Sequence, residues 1–140
     1  MKACIFHDMN PGQRDRKIFE LVEHAHDTHG ALLIYAPGRE RAAAIDRFLW
    51  ILKQESFIPH RIFEENGPDP GVAIGIVTLE INPVAARTLI ADGRCSLDFA
   101  CGFDTIHEFV DRSSPAAHEE CRERFRQYRE RKIAVDHVKE

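Results

Sequence analysis

The order of apolar segments in the first 53 residues constrains the fold more than any other feature of the sequence. Apolar runs at 3–6 and 31–36 have the length of buried strands, and each is followed by a stretch with helical periodicity. Those helices are expected at 13–29 and 39–53. Strands that alternate with helices are typical of right-handed crossovers over a parallel sheet. The sequence therefore predicts an α/β fold with a mostly parallel central sheet and flanking helices in three layers.

The second half of the chain supplies further strand candidates, although its pattern is less regular. The candidates are 71–77, 94–100 and 106–110. The intervening segment 78–93 is compatible either with a strand end and a short helix or with a long surface excursion. A final helix is predicted over 115–133, with a proline in its first turn.

Length and composition predict one domain over residues 1–140, because a chain of this length with 44% hydrophobic residues can bury one core. Its four cysteines form no CxxC pair, and Cys4 and Cys95 fall in apolar stretches that resemble strands; the other two are Cys101 and Cys121. Free thiols in a reducing compartment are the expectation. We see no signal peptide and no run of membrane-spanning length, which predicts a cytoplasmic protein without a membrane partner.

The segments that follow the first two strands carry no phosphate-binding motif. They read "HDMNPGQRDRK" and "PGRERAA", and neither contains GxGxxG or GxxxxGK[ST], the glycine patterns that let backbone approach phosphate closely. No cofactor is therefore predicted. We also predict no catalytic residue, because "DRSSP" lacks a nucleophile elbow and nothing orients a pair of Cys101 and His107.

Three histidines lie close together in "EHAHDTHG": His24, His26 and His29. On a helix only His26 and His29 share a face, and two ligands do not make a tight metal site. We interpret these residues as solvated helix-end histidines, which the helix dipole favours, and predict no metal.

Positive charge is concentrated near the C-terminus. Residues 121–132, "CRERFRQYRERK", hold five arginines and one lysine against two glutamates, a net +4 in a chain whose formal charge is −4. The rest of the chain therefore sums to −8. An acidic chain with one basic stripe is expected to bind nucleic acid only weakly or indirectly, but the stripe suits one acidic partner.

Two stretches of the sequence resemble one protein family. "IDRFLWILKQESFIPH" (45–60) is similar to a helix ending in Leu-Trp, followed by a linker and Glu-Ser-Phe-Val-Pro-His, in the chi subunit of bacterial DNA polymerase III. "EFVDRSSPAAHEECRERFRQYRE" (108–130) resembles that family's closing strand and arginine-rich helix. The clear similarity covers 45–60 and 94–129.

This resemblance implies a Rossmann-like fold without a phosphate-binding loop. It also implies a non-catalytic accessory subunit of the DNA polymerase III holoenzyme in DNA replication. Such a subunit links the clamp loader, through psi or an equivalent, to the acidic C-terminal tail of single-stranded-DNA-binding protein. Another clamp-loader-side or helicase protein is an alternative to psi.

The resemblance also assigns site residues. Arg122, Phe125 and Arg126 match the tail-binding motif, Arg129 extends the stripe, and His118 stands where an earlier basic residue is expected. Phe125 replaces the usual tyrosine. Elsewhere in the chain, Trp50 and Phe57 match the aromatic pair that meets psi.

Ordinary structural explanations remain open for both sets. Arginines near a helix C-terminus are favoured by the helix dipole, and Glu119 and Glu123 are spaced to pair with arginines on the same helix. Trp50 and Phe57 fit core packing equally well. The functional alternative is a small α/β nucleotide-binding protein or enzyme with an unrecognised site.

Overall fold

The structure is a computed structural model that describes residues 2–51, 58–65 and 72–140. Within these ranges it contains seven strands: β1 Ala3–Asp8, β2 Leu32–Tyr35, β3 His60–Phe63, β4 Ile74–Val77, β5 Thr88–Ala91, β6 Thr105–Phe109 and β7 Ala134–Lys139. The same ranges contain four α-helices: α1 Arg14–Asp27, α2 Arg39–Ile51, α3 Leu97–Ala100 and α4 Pro115–Glu130. A short 3-10 turn at Pro11–Gln13 precedes α1.

The seven strands form one sheet in the order β3-β4-β2-β5-β6-β1-β7, and all neighbouring pairs are parallel. The predicted fold class is therefore confirmed. The N-terminal strand β1 lies between β6 and β7, so that Phe6 is opposite Glu108 on one side and His137 on the other.

Apolar side chains pack on both faces of the sheet, which explains why the central strands are continuous apolar runs. On β2, Leu32 and Ile34 pack with the helices α1 and α2, while Leu33 packs on the opposite face. That opposite face is covered by α3 and α4, and Phe6 and Tyr128 belong to its core. The molecule has three layers, as the sequence predicts.

One predicted strand is wrong. The segment 94–100 alternates apolar and polar residues like a strand, but Leu97–Ala100 is the short helix α3. The Ser96 hydroxyl accepts a hydrogen bond from the Phe99 N–H at 3.1 Å and so caps the helix, a role for which serine is favoured. Cys95 accordingly precedes a helix instead of lying in a strand. The strand of this region is β5, which lies inside the segment whose structure the sequence left open.

The sequence also missed the two edge strands. The first, β3, has four residues and its apolar pattern is weak. In β7 nearly every residue is exposed, so the strand has no apolar run that would indicate it in the sequence. The last predicted helix ends at Glu130, three residues early, because Lys132 adopts a positive φ of 62° and turns the chain back along β1.

All four cysteines are free thiols, and Cys4, Cys95 and Cys121 are buried. Burial raises the pKa of the Cys95 thiol to about 11 and that of Cys4 further still, so both are neutral at physiological pH. In the part of the chain that the structure describes, the helices are too short or too polar to cross a membrane.

Candidate binding groove at the C-terminal helix

The helix α4 carries most of the candidate site, and its start is fixed by local sequence. Ser114 accepts a hydrogen bond from the Ala117 N–H at 3.0 Å, and Pro115 occupies the first helical position. Cys121, Arg124 and Tyr128 then face the sheet and are buried.

A buried network sets the rotation of α4 against β6. The Arg124 Nε donates to Glu108 Oε2 at 2.6 Å, and the Tyr128 hydroxyl donates to the same oxygen at 2.5 Å. Arg124 Nη2 also contacts the Tyr128 oxygen at 3.1 Å. Burial, reinforced by the Glu108 charge, raises the pKa of Tyr128 well above its usual value, which keeps the hydroxyl protonated and donating. Arg124 is not among the residues that the sequence singled out, although helical spacing places it on the same face as Cys121 and Tyr128.

With this rotation, α4 and the strands β1 and β7 enclose an open groove of about 400 Å³. Its apolar lining comes from Phe6, Val110, Cys121 and Phe125. The rings of Phe6 and Phe125 are tilted by 50°, with centroids 5.4 Å apart. Phe6 is only 2% exposed, so the accessible aromatic surface of the floor comes from the half-buried Phe125, which packs against the core to which Phe6 belongs. This surface can accept one apolar side chain.

The α4 side of the groove is cationic. Arg122, Arg126, Arg129 and His118 all line it, so the structure brings together every residue that the resemblance assigned on this helix. Two of the arginines contact glutamates one turn earlier: Arg122 lies 4.0 Å from Glu119, and Arg126 contacts Glu123. Pairs of this kind on an exposed helix surface are weak and can be exchanged for a ligand carboxylate.

Arg129 has no ion-pair partner among residues 2–51, 58–65 and 72–140. The remaining arginine of the segment, Arg131, lies outside the groove and donates to Asp98 at 2.8 Å.

The opposite side of the groove carries a basic cluster that the sequence did not reveal. Arg112, in the loop after β6, donates to both oxygens of Asp8, at 3.0 Å from Nε and 2.6 Å from Nη2. His137 on β7 donates its Nε2 proton to Asp8 Oδ2 at 2.8 Å. The hydrogen bonds from Arg112, then those from His137, hold the pKa of Asp8 far below its ordinary value although burial opposes this. No local pattern links positions 8, 112 and 137, which meet because β1 lies between β6 and β7.

The groove is net positive at its lining. Four arginines (Arg112, Arg122, Arg126 and Arg129) face two glutamates (Glu119 and Glu123), which gives +4 − 2 = +2 with the histidines neutral, and +2 − 1 = +1 when Asp8, which binds Arg112, is included. A cationic rim around an aromatic floor suits a ligand that carries both carboxylates and an apolar group.

The second candidate surface lies at the end of α2. Trp50 is 46% exposed and its neighbour Ile51 is 56% exposed, while the Trp50 ring lies 4.2 Å from the ring of His60. Trp50 therefore lies at the surface in this structure and is not buried in the core. Its predicted partner Phe57 lies outside the described residues.

Other residues singled out in the sequence are not brought together. His24, His26 and His29 are exposed, and in the described ranges no three potential metal ligands converge. Cys101 packs toward the core on the α4 side. His107 lies on the α1 side, with its Nδ1 3.0 Å from His7 Nε2.

The crevice at the carboxyl ends of β2 and β5, where nucleotides often bind in α/β sheets, is filled by protein groups. Arg41 donates to both oxygens of Asp92, at 2.8 and 2.9 Å, and to Asp15 at 2.7 Å. A Cβ atom on Gly93 would lie 2.5 Å from the ring of Pro37, so the two loops are in close contact. The Arg41 ion pairs thus lie at the place where such folds often bind a phosphate.

Comparison with known proteins agrees with the two sequence motifs. The family model described as the DNA polymerase III chi subunit, HolC, matches residues 1–136. The chain is 30% identical over 99 residues to the DNA polymerase III subunit chi of Escherichia coli (strain K12). That alignment covers 70% of this chain and 66% of the relative, just under two thirds of its length. Because the family model matches nearly the whole chain, the suspected resemblance is confirmed: the protein belongs to the DNA polymerase III chi-subunit family.

Proposed function

We propose that this protein is a non-catalytic accessory subunit of the DNA polymerase III holoenzyme that binds the acidic C-terminal tail of single-stranded-DNA-binding protein. Membership of the chi family supports the replication role. The observation that carries the tail-binding role is the groove, which places an aromatic floor directly beside a row of arginines.

Each part of an acidic tail with a hydrophobic last residue has a counterpart in the groove. The terminal side chain packs on Phe125, which the buried Phe6 supports from within the core. Because Phe125 is adjacent in sequence to Arg126 and one helical turn from Arg122, the terminal carboxylate lies within reach of their guanidinium groups. Guanidinium groups bind carboxylates through paired, charge-assisted hydrogen bonds. The two glutamates on α4 are exposed and are displaced as the peptide binds.

Binding of a synthetic tail peptide tests this proposal directly. We expect the peptide to bind with about micromolar affinity, near −8 kcal/mol, in a fluorescence-anisotropy titration. Arg122→Ala and Arg126→Ala should each weaken binding by about 1.5–3 kcal/mol, because each removes charge-assisted hydrogen bonds. Arg131→Ala is the matched control, since it removes the same charge directly after the same helix but outside the groove, and it should change affinity little.

The apolar floor makes a separate prediction within the same assay. Phe125→Ala should weaken the peptide, and raising the salt concentration should weaken it only in part, because apolar burial is not screened. The proposal is wrong if the peptide does not bind. It is also wrong if all arginine substitutions act equally and salt abolishes binding, since the helix would then be only a diffuse basic surface.

We propose that the surface around Trp50 binds the psi subunit on the clamp-loader side. Trp50 and Ile51 are large, apolar and exposed side by side, and a tryptophan of this kind is a frequent anchor in interfaces. Trp50→Ala should leave the melting temperature nearly unchanged and abolish binding to purified psi. Leu79→Ala is a control because Leu79 is a 54% exposed apolar residue elsewhere on the surface. Strong destabilisation by Trp50→Ala would indicate a packing role instead.

A ligand screen separates the adaptor from the alternative of a nucleotide-binding protein or enzyme. A ligand at a hundred times its dissociation constant stabilises a protein by about 2.7 kcal/mol, which thermal melting detects readily. We expect no shift with nucleotides, flavin or divalent metals, in keeping with the ion pair that fills the crevice. A clear shift with any of them would favour the alternative.

A further inference from the structure

The cluster of Asp8, Arg112 and His137 lies across the groove from the arginines of α4. The Arg112 side chain is 54% exposed, whereas the Asp8 side chain that holds it is only 7% exposed. Asp8 accepts three hydrogen bonds from this cluster, two from Arg112 and one from His137. A buried carboxylate thus fixes an otherwise flexible arginine at the mouth of the groove.

Arg112 retains donors for a ligand after binding Asp8. A guanidinium group has five N–H donors, and Asp8 takes one from Nε and one from Nη2. The other three belong to Nη1 and Nη2. A guanidinium group that is already held in one conformation loses less side-chain entropy when it binds a second carboxylate.

The position of Arg112 along the groove determines which carboxylate it can reach. Asp8 follows Phe6 by two residues on the same strand, which is about 6–7 Å, and their side chains point to the same face. The terminal carboxylate of a peptide stays next to the terminal side chain, and so beside Arg122 and Arg126. An extended peptide spans about 3.3–3.6 Å per residue, so a residue near Arg112 is two or more positions from the end.

We propose that Arg112, positioned by Asp8, forms a second carboxylate subsite that binds an acidic side chain of the tail at least two residues before its last residue. This inference rests on the proposed tail-binding function. The groove then contacts the tail at two points. The helix α4 binds the terminal residue, and the loop after β6 binds the acidic residues that precede it. His137 shares Asp8 with Arg112 and also lines the groove.

A double-mutant cycle between protein and peptide tests the subsite. We expect Arg112→Ala to weaken the tail peptide about tenfold in a titration at fixed ionic strength. Each acidic residue of the peptide is then replaced in turn by the corresponding amide. For one upstream position the Arg112→Ala effect should fall to within about twofold, because the partner carboxylate is gone. Arg122→Ala should retain its full effect with that same peptide.

Arg16→Ala is the matched control for net charge. Arg16 is an exposed arginine on α1, on the other face of the sheet, and its only described ion pair is a loose contact of 3.8 Å with the exposed Glu20. Its removal should change peptide affinity by less than twofold. If Arg112→Ala weakens the peptide no more than Arg16→Ala does, or equally with every substituted peptide, the subsite does not exist.

Two readouts keep this test independent of folding and of the parent proposal. If Arg112→Ala unfolds, the variant Asp8→Asn with Arg112→Ala removes the buried charge as well and should show the same peptide dependence. Failure of the unmodified peptide to bind wild-type protein would overturn tail binding itself. Normal binding without coupling to Arg112 would overturn only the second subsite.

Discussion

Two faces of the helix α4 use the same residue type for opposite purposes. Arg124 points into the molecule, where Glu108 and the Tyr128 hydroxyl surround it. Arg122 and Arg126 stand two residues away on either side and line the groove, where Glu119 and the partly exposed Glu123 are their ion-pair partners among the described residues. The difference shows that the function of an arginine in this segment depends on its angle around the helix, since the inner one stabilises the fold while the outer ones keep donors available for a ligand.

Removing the inner arginine should have the largest effect on stability. Arg124→Ala leaves the Glu108 carboxylate buried without its cation, and we expect the free energy of unfolding to fall by about 3–5 kcal/mol. Urea denaturation measures this loss. A loss below about 1 kcal/mol would mean that the inner and outer faces do not differ in the way described.

The two sides of the sheet should respond differently to acid. The α1 side buries His7 and His107, whereas the α4 side buries the ion pair of Arg124 and Glu108. Burial lowers the pKa of His107 to about 4, with smaller effects of the charges on His7 and Lys17. As the pH falls from about 6.5 to 4, the unfolded chain takes up a proton on this residue and the folded protein does not. Stability is therefore full above pH 6.5 and declines by about 3 kcal/mol down to pH 4.

The comparison of His107→Gln with His26→Gln isolates this contribution. His26 is exposed on α1, so its replacement should leave the pH dependence of unfolding as in the wild type. His107→Gln should flatten the curve between pH 6.5 and 4. Parallel curves for the two variants would contradict the role of the buried imidazole.

A smaller effect is expected for the hydroxyl that completes the inner network. Tyr128→Phe keeps the ring packed but removes one of the donors to Glu108 Oε2, which should cost about 1–2 kcal/mol in unfolding free energy. Because Arg124 still holds Glu108, the rotation of α4 and the affinity for the tail peptide should persist. A large loss of peptide affinity at unchanged stability would show that Tyr128 acts on the groove directly.

The smallest stability effect belongs to the outer face. Arg126→Ala should change the free energy of unfolding by less than about 0.5 kcal/mol, because its pair with Glu123 is exposed. The same variant should weaken the tail peptide, as described above. Measuring both quantities on Arg126→Ala and Arg124→Ala gives a direct comparison of the two faces.

The sequence predicted the interior of this fold better than its edges, for physical reasons. Strands such as β2 are buried on both sides, so burial requires apolar residues throughout and the pattern is plain. The edge strand β7 is exposed along nearly its whole length, so that little constrains its composition. The segment around Phe99 misled the interpretation because the capping role of Ser96 outweighs the alternation of its neighbours.

The candidate site also has one part that the sequence predicted and one part that it did not. The stripe on α4 was predictable because helical spacing alone brings Arg122, Arg126 and Arg129 to one side. The cluster of Asp8, Arg112 and His137 depends on pairing between strands that are far apart in sequence. The periodicity of apolar residues does not indicate which strands pair.

The position of β1 between β6 and β7 has a consequence for how the protein forms during synthesis. Ala3 pairs with Thr105 and with Ala134, so β1 has no neighbour in the sheet until β6 has been made, roughly 100 residues later. Translation adds roughly 5–20 residues per second, so β1 waits for several seconds with both edges open. Its residue Phe6, and with it the floor of the groove, reaches its final surroundings only when β7 closes beside it. We therefore expect the groove between α4, β1 and β7 to be the last part of the molecule to form.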